Sequence, residues 1–294
     1  QGAARPAETL SPRAGGRPAP RVEPAMRIAL GLEYDGSAFK GWQTQRAGVR
    51  AIQPEVEAAL SRVADHPVSV QCAGRTDTGV HATFQVVHFD TSAVRTPRAW
   101  VLGCNVNLPP QVAVLWARVV PDDFNARFSA RARSYDYVLS NRQTRPALWR
   151  GRVSWECRPL DVEAMIAAAP QLLGEHDFSS FRAQGCQAQH PIRTVHRLEV
   201  RVVPPCIVVR VEANAFLQHM VRNFVGTLLE VGLGRHPPAW VGEVLAARDR
   251  RLAGWTAPPD GLYLTGVRYE PRFGLPMPPD AWPVLAAYAG QAFD

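Results

Sequence analysis

Residues 72–82, CAGRTDTGVHA, hold one carboxylate, Asp77, among small and rigid neighbours, with Thr76 and Thr78 beside it, Gly79 after it and Arg75 two positions before it. Glycine lets such a segment fold tightly, and a guanidinium close by favours the ionised carboxylate. An acid held charged and aimed in this way can act as a nucleophile or as a base. The same residue types also build ordinary turns, in which the aspartate only accepts from a nearby backbone amide.

The elements on either side must hold this run in place. Ile28, Leu30, Leu32 and Tyr34 alternate with less apolar residues, which predicts a strand with one buried face. Pro54 then opens a helix with Val56, Ala59, Leu60 and Val63 on one side. Apolar runs at 68–72, 83–89 and 112–119 predict further strands, with a helix near 97–108. Asp77 therefore falls on a loop between two strands, where a rigid scaffold can present it. The pattern then repeats. A basic strand at 131–139 leads to a helix with Val162, Met165, Ile166, Ala169 and Leu172 on one face. Strands at 194–203 and 206–213 follow, then a helix with Leu217, Met220, Val221, Phe224 and Leu228, and a last strand at 262–269. The expected fold class is α+β, with two mixed halves whose sheets are joined. The expected division is an extension at 1–25, read as disordered from its Pro, Gly, Ala and Arg content, halves at 26–140 and 141–270, and a tail at 271–294. Met26 stands directly before the first strand pattern and is a candidate start.

Composition bounds the function from outside. At 294 residues and 46% hydrophobic content the chain can bury a large core. Lys and Arg exceed Asp and Glu by 33 − 26 = 7, and residues 118–152 hold eight Arg against three Asp. That strip suits a polyanion such as nucleic acid phosphate, or is a solvated face. Lys40 is the only lysine, so a phosphate loop with its lysine is absent and no other Schiff-base lysine exists. The five cysteines form no Cys-x-x-Cys pair and no His-Glu-x-x-His run occurs, which argues against zinc and for reduced thiols in a cytoplasmic protein. No apolar run is long enough to span a bilayer, and no dinucleotide fingerprint is present, so neither a membrane nor a cofactor is expected.

GRTDTGVHA resembles the catalytic loop of the tRNA pseudouridine synthases of the TruA type, and the likeness extends along the chain. Residues 34–45 (YDGSAFKGWQTQ), 124–137 (FNARFSARARSYDY), 177–183 (DFSSFRA), 216–226 (FLQHMVRNFVG) and 258–264 (PPDGLYL) are similar to family segments in the same order. Departures are Thr78 where the family usually has Ala, Asn125 where it often has His, and His190 where Ser is more usual. The resemblance implies two ferredoxin-like halves meeting in a continuous, mainly antiparallel sheet with a cleft between them. It implies cofactor-free isomerisation of uridine to pseudouridine in the tRNA anticodon arm, near positions 38 to 40, by a homodimer. Asp77 is then the catalytic carboxylate, with Arg222 pairing with it across the cleft. Tyr135 stacks on the target base or its ribose, although Tyr137 shares its strand face. Arg75 fills the gap left by the extruded base, holds its phosphate, or partners Asp77. Two other classes remain: a non-catalytic RNA-binding module, and a dimeric aspartic protease, since Asp-Thr-Gly also marks that family and a single copy needs a symmetry mate.

Overall fold

The computed structural model describes residues 26–43 and 48–278. The readings of residues 1–25 and of the tail beyond 278 lie outside them. The first unit runs β1 (Met26–Tyr34), α1 (Ile52–Ala64), β2 (Gln71–Cys72), β3 (His81–Thr91), α2 (Pro97–Asn107) and β4 (Val112–Val120). The second runs β5 (Ala132–Asn141), β6 (Ser154–Glu156), α3 (Val162–Ala168), β7 (Gly174–Asp177), β8 (Ile192–Val203), β9 (Cys206–Ala213), α4 (Met220–Gly232), α5 (Trp240–Ala247) and β10 (Leu262–Arg268).

Among the described residues the ten strands form one sheet, ordered β4-β1-β3-β10-β5-β9-β8-β7, with β2 on β3 and β6 on β5. Setting β6, β7 and α5 aside, each unit reads strand, helix, strand, strand, helix, strand. The first lies in the order β4-β1-β3-β2 and the second in the order β10-β5-β9-β8. Both are ferredoxin-like arrangements, and the α+β class is as expected. In strand order β5 opens the second unit, although all of its residues but Asn141 precede position 141. The seam is short: β3 and β10 pair in parallel through His81 with Tyr263 and Ala82 with Leu264. The other pairings are antiparallel except β5 with β6. One apolar core crosses the seam, with Leu32 and Phe89 in the same cluster as Leu264 and Phe224.

Local rules account for most of these elements. Thr96 caps α2 by accepting from the Ala99 amide at 3.2 Å, and Pro97 needs no partner in that first turn. α1 begins at Ile52, so Pro54 stands third in the helix, still within the turn whose amides lack partners inside the helix. The stripe read through Ile166 is corrected: Ile166 is exposed, and Met165, Ala168, Ala169 and Leu172 make the buried face. Pro170 has no N–H to donate, and there the helix tightens into a 3-10 turn, Ala169–Leu172. The run at 68–72 shrinks to the two residues of β2. α5, β6 and β7 were not foreseen, being short, and β7 (GEHD) carries no apolar pattern at all. α4 is the most deeply set helix, and only Arg222 and Glu230 among its residues are not buried. A Cβ at Gly226 would lie 1.7 Å from the Trp255 carbonyl oxygen, so glycine is what lets the 249–257 loop cross α4.

Candidate active site

Asp77 sits on the loop from β2 to β3, which is tied down at many points. The Ala73 amide donates to Val86 O at 2.8 Å, the Trp42 amide to Thr76 O at 3.0 Å and the Gly79 amide to Phe39 O at 3.3 Å. Thr76 Oγ1 and the Tyr34 hydroxyl share a buried hydrogen bond of 2.9 Å, and Gln85 Nε2 donates to Gly74 O at 2.6 Å. The turn closes with Val80 N donating to Asp77 O at 3.1 Å, and Gly79 takes φ +79°, a conformation other residues adopt at a cost. Arg133 adds a clamp from β5: its Nη2 donates to Ala73 O at 3.0 Å and to Arg127 O at 2.6 Å. Such a loop holds its carboxylate in one place.

The loop runs straight into the seam. His81, the last charged type in the motif, is buried, with Nδ1 accepting from the Gly36 amide at 3.1 Å and Nε2 3.2 Å from Asp260 O. Its ring stacks on Tyr263 at 4.6 Å. Burial pushes its pKa down, and a neutral ring with the proton on Nε2 satisfies both partners. His81 therefore pins the two units together.

Two cationic types face Asp77, and both come from the start of α4. Arg222 Nη1 lies 3.6 Å from Asp77 Oδ2, while its Nε donates to Ala257 O at 2.7 Å and fixes the guanidinium. His219 Nε2 lies 3.4 Å from the same carboxylate oxygen. His219 is the cap residue of α4 and holds the left-handed conformation, φ 62°. Burial lowers its pKa, Asp77 opposes that, and Arg222 and Arg250 reinforce it. The positive end of α4 favours an anion at this point.

Arg75 is exposed at the cleft and makes no ion pair with Asp77 among the described residues. The basic side chains beside the carboxylate thus come from the start of α4 and its cap, in the other unit. Tyr135 lines the same cleft, edge-on to Phe216 at 5.1 Å. Its hydroxyl lies close to the loop: a Cβ on Gly74 would stand 3.8 Å from it. That hydroxyl has no hydrogen-bond partner among the described residues. Burial, and then the charge of Asp77, push the phenol pKa up, so it stays protonated and can donate. Tyr137 is different. Fully buried, it donates to Ser154 Oγ at 2.6 Å and reaches Pro258 O at 3.1 Å.

The cleft encloses about 1170 Å³, and Asp77 is the only carboxylate among its described lining residues. Lys40, Arg75, Arg127, Arg133, Arg193 and Arg222 line it as well. One acid in a basic cleft fits a polyanionic substrate, and the helices of this α+β fold are at odds with the largely all-β chain of an aspartic protease. Sequence reasoning passed over His219, whose spacing of three from Arg222 sets both on one helical turn. It also passed over Phe128, an exposed ring at the cleft.

A family model described as tRNA pseudouridine synthase matches residues 32–129 and 168–270. The chain is 53% identical over 253 residues to the tRNA pseudouridine synthase A of Coxiella burnetii (strain Dugway 5J108-111), covering 86% of this chain and 97% of that protein. It is 57% identical over 251 residues to the protein of the same name from Bordetella petrii, covering 85% and 93%. A solved structure, "Crystal structure of the archaeal box H/ACA sRNP Nop10-Cbf5 complex", aligns at 13% identity with a TM-score of 0.32, covering 83% of this chain and 49% of that one.

Proposed function

The chain belongs to the tRNA pseudouridine synthase family, enzymes that isomerise uridine to pseudouridine in tRNA, and we propose that Asp77 carries this reaction at uridines 38 to 40 of the anticodon arm. One observation supports the assignment above the others: a single carboxylate, flanked by Arg222 and His219, in a cleft whose other lysine and arginine side chains bring only positive charge among the described lining residues.

The reaction balances without outside reagents. The bond from ribose C1′ to uracil N1 breaks, the ring turns, and C5 bonds to C1′. C5 loses its hydrogen and N1 gains one, so no oxidant, phosphoryl donor or water is consumed. One carboxylate suffices, as a nucleophile on C1′ or as a base on the ribose. Arg222 stands 3.6 Å from it, and the protonated hydroxyl of Tyr135 stands ready to orient the detached ring. Arg75 reaches the phosphate or the gap left by the base.

A paired uridine must leave its stack first, at a cost of a few kcal/mol. Arginine contacts to phosphate offset this without reading sequence, which suits neighbouring targets. The active form is a homodimer with one tRNA touching both subunits, working in the cytoplasm. No helix of the described residues is long and apolar enough to cross a membrane. Unmodified tRNA transcripts incubated with the protein and mapped for pseudouridine test the reading. Conversion at 38, 39 or 40 is expected, conversion only elsewhere moves the target, and no conversion ends the proposal.

A further inference from the structure

The turn formed by residues 125–129 carries an aromatic ring that the described residues leave largely exposed. Phe128 is 77% exposed and lines the cleft that holds Asp77. An apolar ring left in water at the edge of a cleft forgoes the stabilisation that burial brings, and here it does so in the same cleft as Asp77.

The turn is not loose. Asn125 Oδ1 accepts from the amides of Arg127 and Phe128, both at 3.0 Å, while its own amide donates to Ser129 Oγ at 2.9 Å. Asn125 Nδ2 donates to Gln71 Oε1 at 3.1 Å, which ties the turn to β2. Phe124 and Ala126 are fully buried on the N-terminal side. The Ala126 amide donates to His88 Nδ1 at 3.1 Å, and the Tyr269 hydroxyl donates to Ala126 O at 2.7 Å. Arg133 holds the Arg127 carbonyl as well as the catalytic loop. Asn125, one of the departures from the family pattern, is thus the residue that organises the turn. The exposed ring stands on backbone fixed from all sides, so a partner meets it without an ordering cost.

Its faces are unequal. The Arg127 guanidinium stands 5.2 Å from the ring centroid on one side. The other side has no aromatic or cationic neighbour among the described residues. A planar π-face with a cation behind it, in a basic cleft, matches a nucleobase whose phosphate lies close by.

We propose that Phe128, backed by Arg127, is a stacking subsite for a nucleobase flanking the uridine that enters the cleft. This rests on the tRNA reading above and adds a residue role to it. Stacking tolerates any base, so one subsite serves several neighbouring targets, and it replaces part of the stacking lost when the uridine is extruded.

The test places 5-iodouridine beside the target in an anticodon stem-loop RNA, with near-ultraviolet cross-linking and kinetics on Phe128→Leu and Phe128→Trp. Leu keeps an apolar side chain and loses the π-face, while Trp restores it. Wild-type protein is expected to cross-link at Phe128, Leu to lose the adduct and about tenfold in kcat/KM, and Trp to recover to within threefold. Wild-type kcat/KM in Phe128→Leu overturns the inference. A change of oligomeric state in Phe128→Leu, seen by sedimentation, also overturns it, by assigning the ring to a subunit contact. Failure of the wild-type protein to convert any uridine is a different result and rejects the tRNA reading itself.

Discussion

His219 Nε2 lies 3.4 Å from Asp77 Oδ2, and the two residues belong to different units of the fold. The histidine reaches the loop from the left-handed cap of α4, and burial keeps its ring neutral toward lower pH than usual. A neutral imidazole beside a carboxylate can orient it and can pass a proton at the stage when C5 loses its hydrogen.

His219→Ala is therefore expected to lower kcat by about 10- to 100-fold, or about 1.4–2.7 kcal/mol of transition-state stabilisation, with tRNA affinity within a few-fold. His219→Gln, which retains a donor, should lose less. An unchanged kcat and pH profile in both variants would remove His219 from the site.

Asp77→Asn keeps shape and loses charge. Release of tritium from uridines labelled at C5 should fall by about four decades, or about 5.4 kcal/mol, while tRNA binding and circular dichroism stay near wild type. Tritium release at the normal rate would exclude Asp77 from the chemistry.

Tyr135 offers a ring and an uncommitted hydroxyl. Tyr135→Phe keeps only the ring and Tyr135→Ala neither, so comparing their single-turnover rates separates the two contributions. Ala is expected to be nearly inactive, with tRNA binding retained in both variants because phosphate contacts carry most of the affinity. A fully active Ala variant would contradict the stacking role.

Arg142 and Arg145 are exposed and do not line the cleft. If the basic strip docks tRNA, Arg142→Glu with Arg145→Glu should weaken binding and flatten its salt dependence, because fewer counterions are released. Affinity titrations from low to physiological salt decide this, and an unaltered slope places docking elsewhere.

His81, His88 and His219 all have pKa values lowered by burial. The unfolded chain then binds more protons near the ordinary histidine pKa of about 6.5, so stability is full above that value and declines as pH falls below it toward the folded values. Urea midpoints should drop between pH 7.5 and 5.5. A flat profile would mean that these rings do not stay neutral in the fold.

Much of this protein was legible in its residues because the governing forces are local. Gly79 after Asp77 and Thr76 marks a tight turn, and Gly79 indeed takes φ +79° there. The α4 stripe through Met220, Val221, Phe224 and Leu228 follows helical period, and every one of these residues is buried. Each signal is written within a few positions of where it acts. The stripe through Ile166 failed in one position only, since Ala168 takes the buried place beside Met165 and Ile166 turns outward.

What brings Asp77 under Arg222 and His219 is not local. β10 returns from the far end of the described residues to lie in parallel against β3, joined through His81 and Tyr263, and that seam lets α4 face the Asp77 loop. Tyr135 and Tyr137 are equivalent by strand alternation, and only packing separates them: Ser154 and Pro258 take the hydroxyl of Tyr137, while Tyr135 opens onto the cleft. These contacts join segments from 17 to more than a hundred positions apart, and periodicity along one segment carries no information about which other segment will cover it.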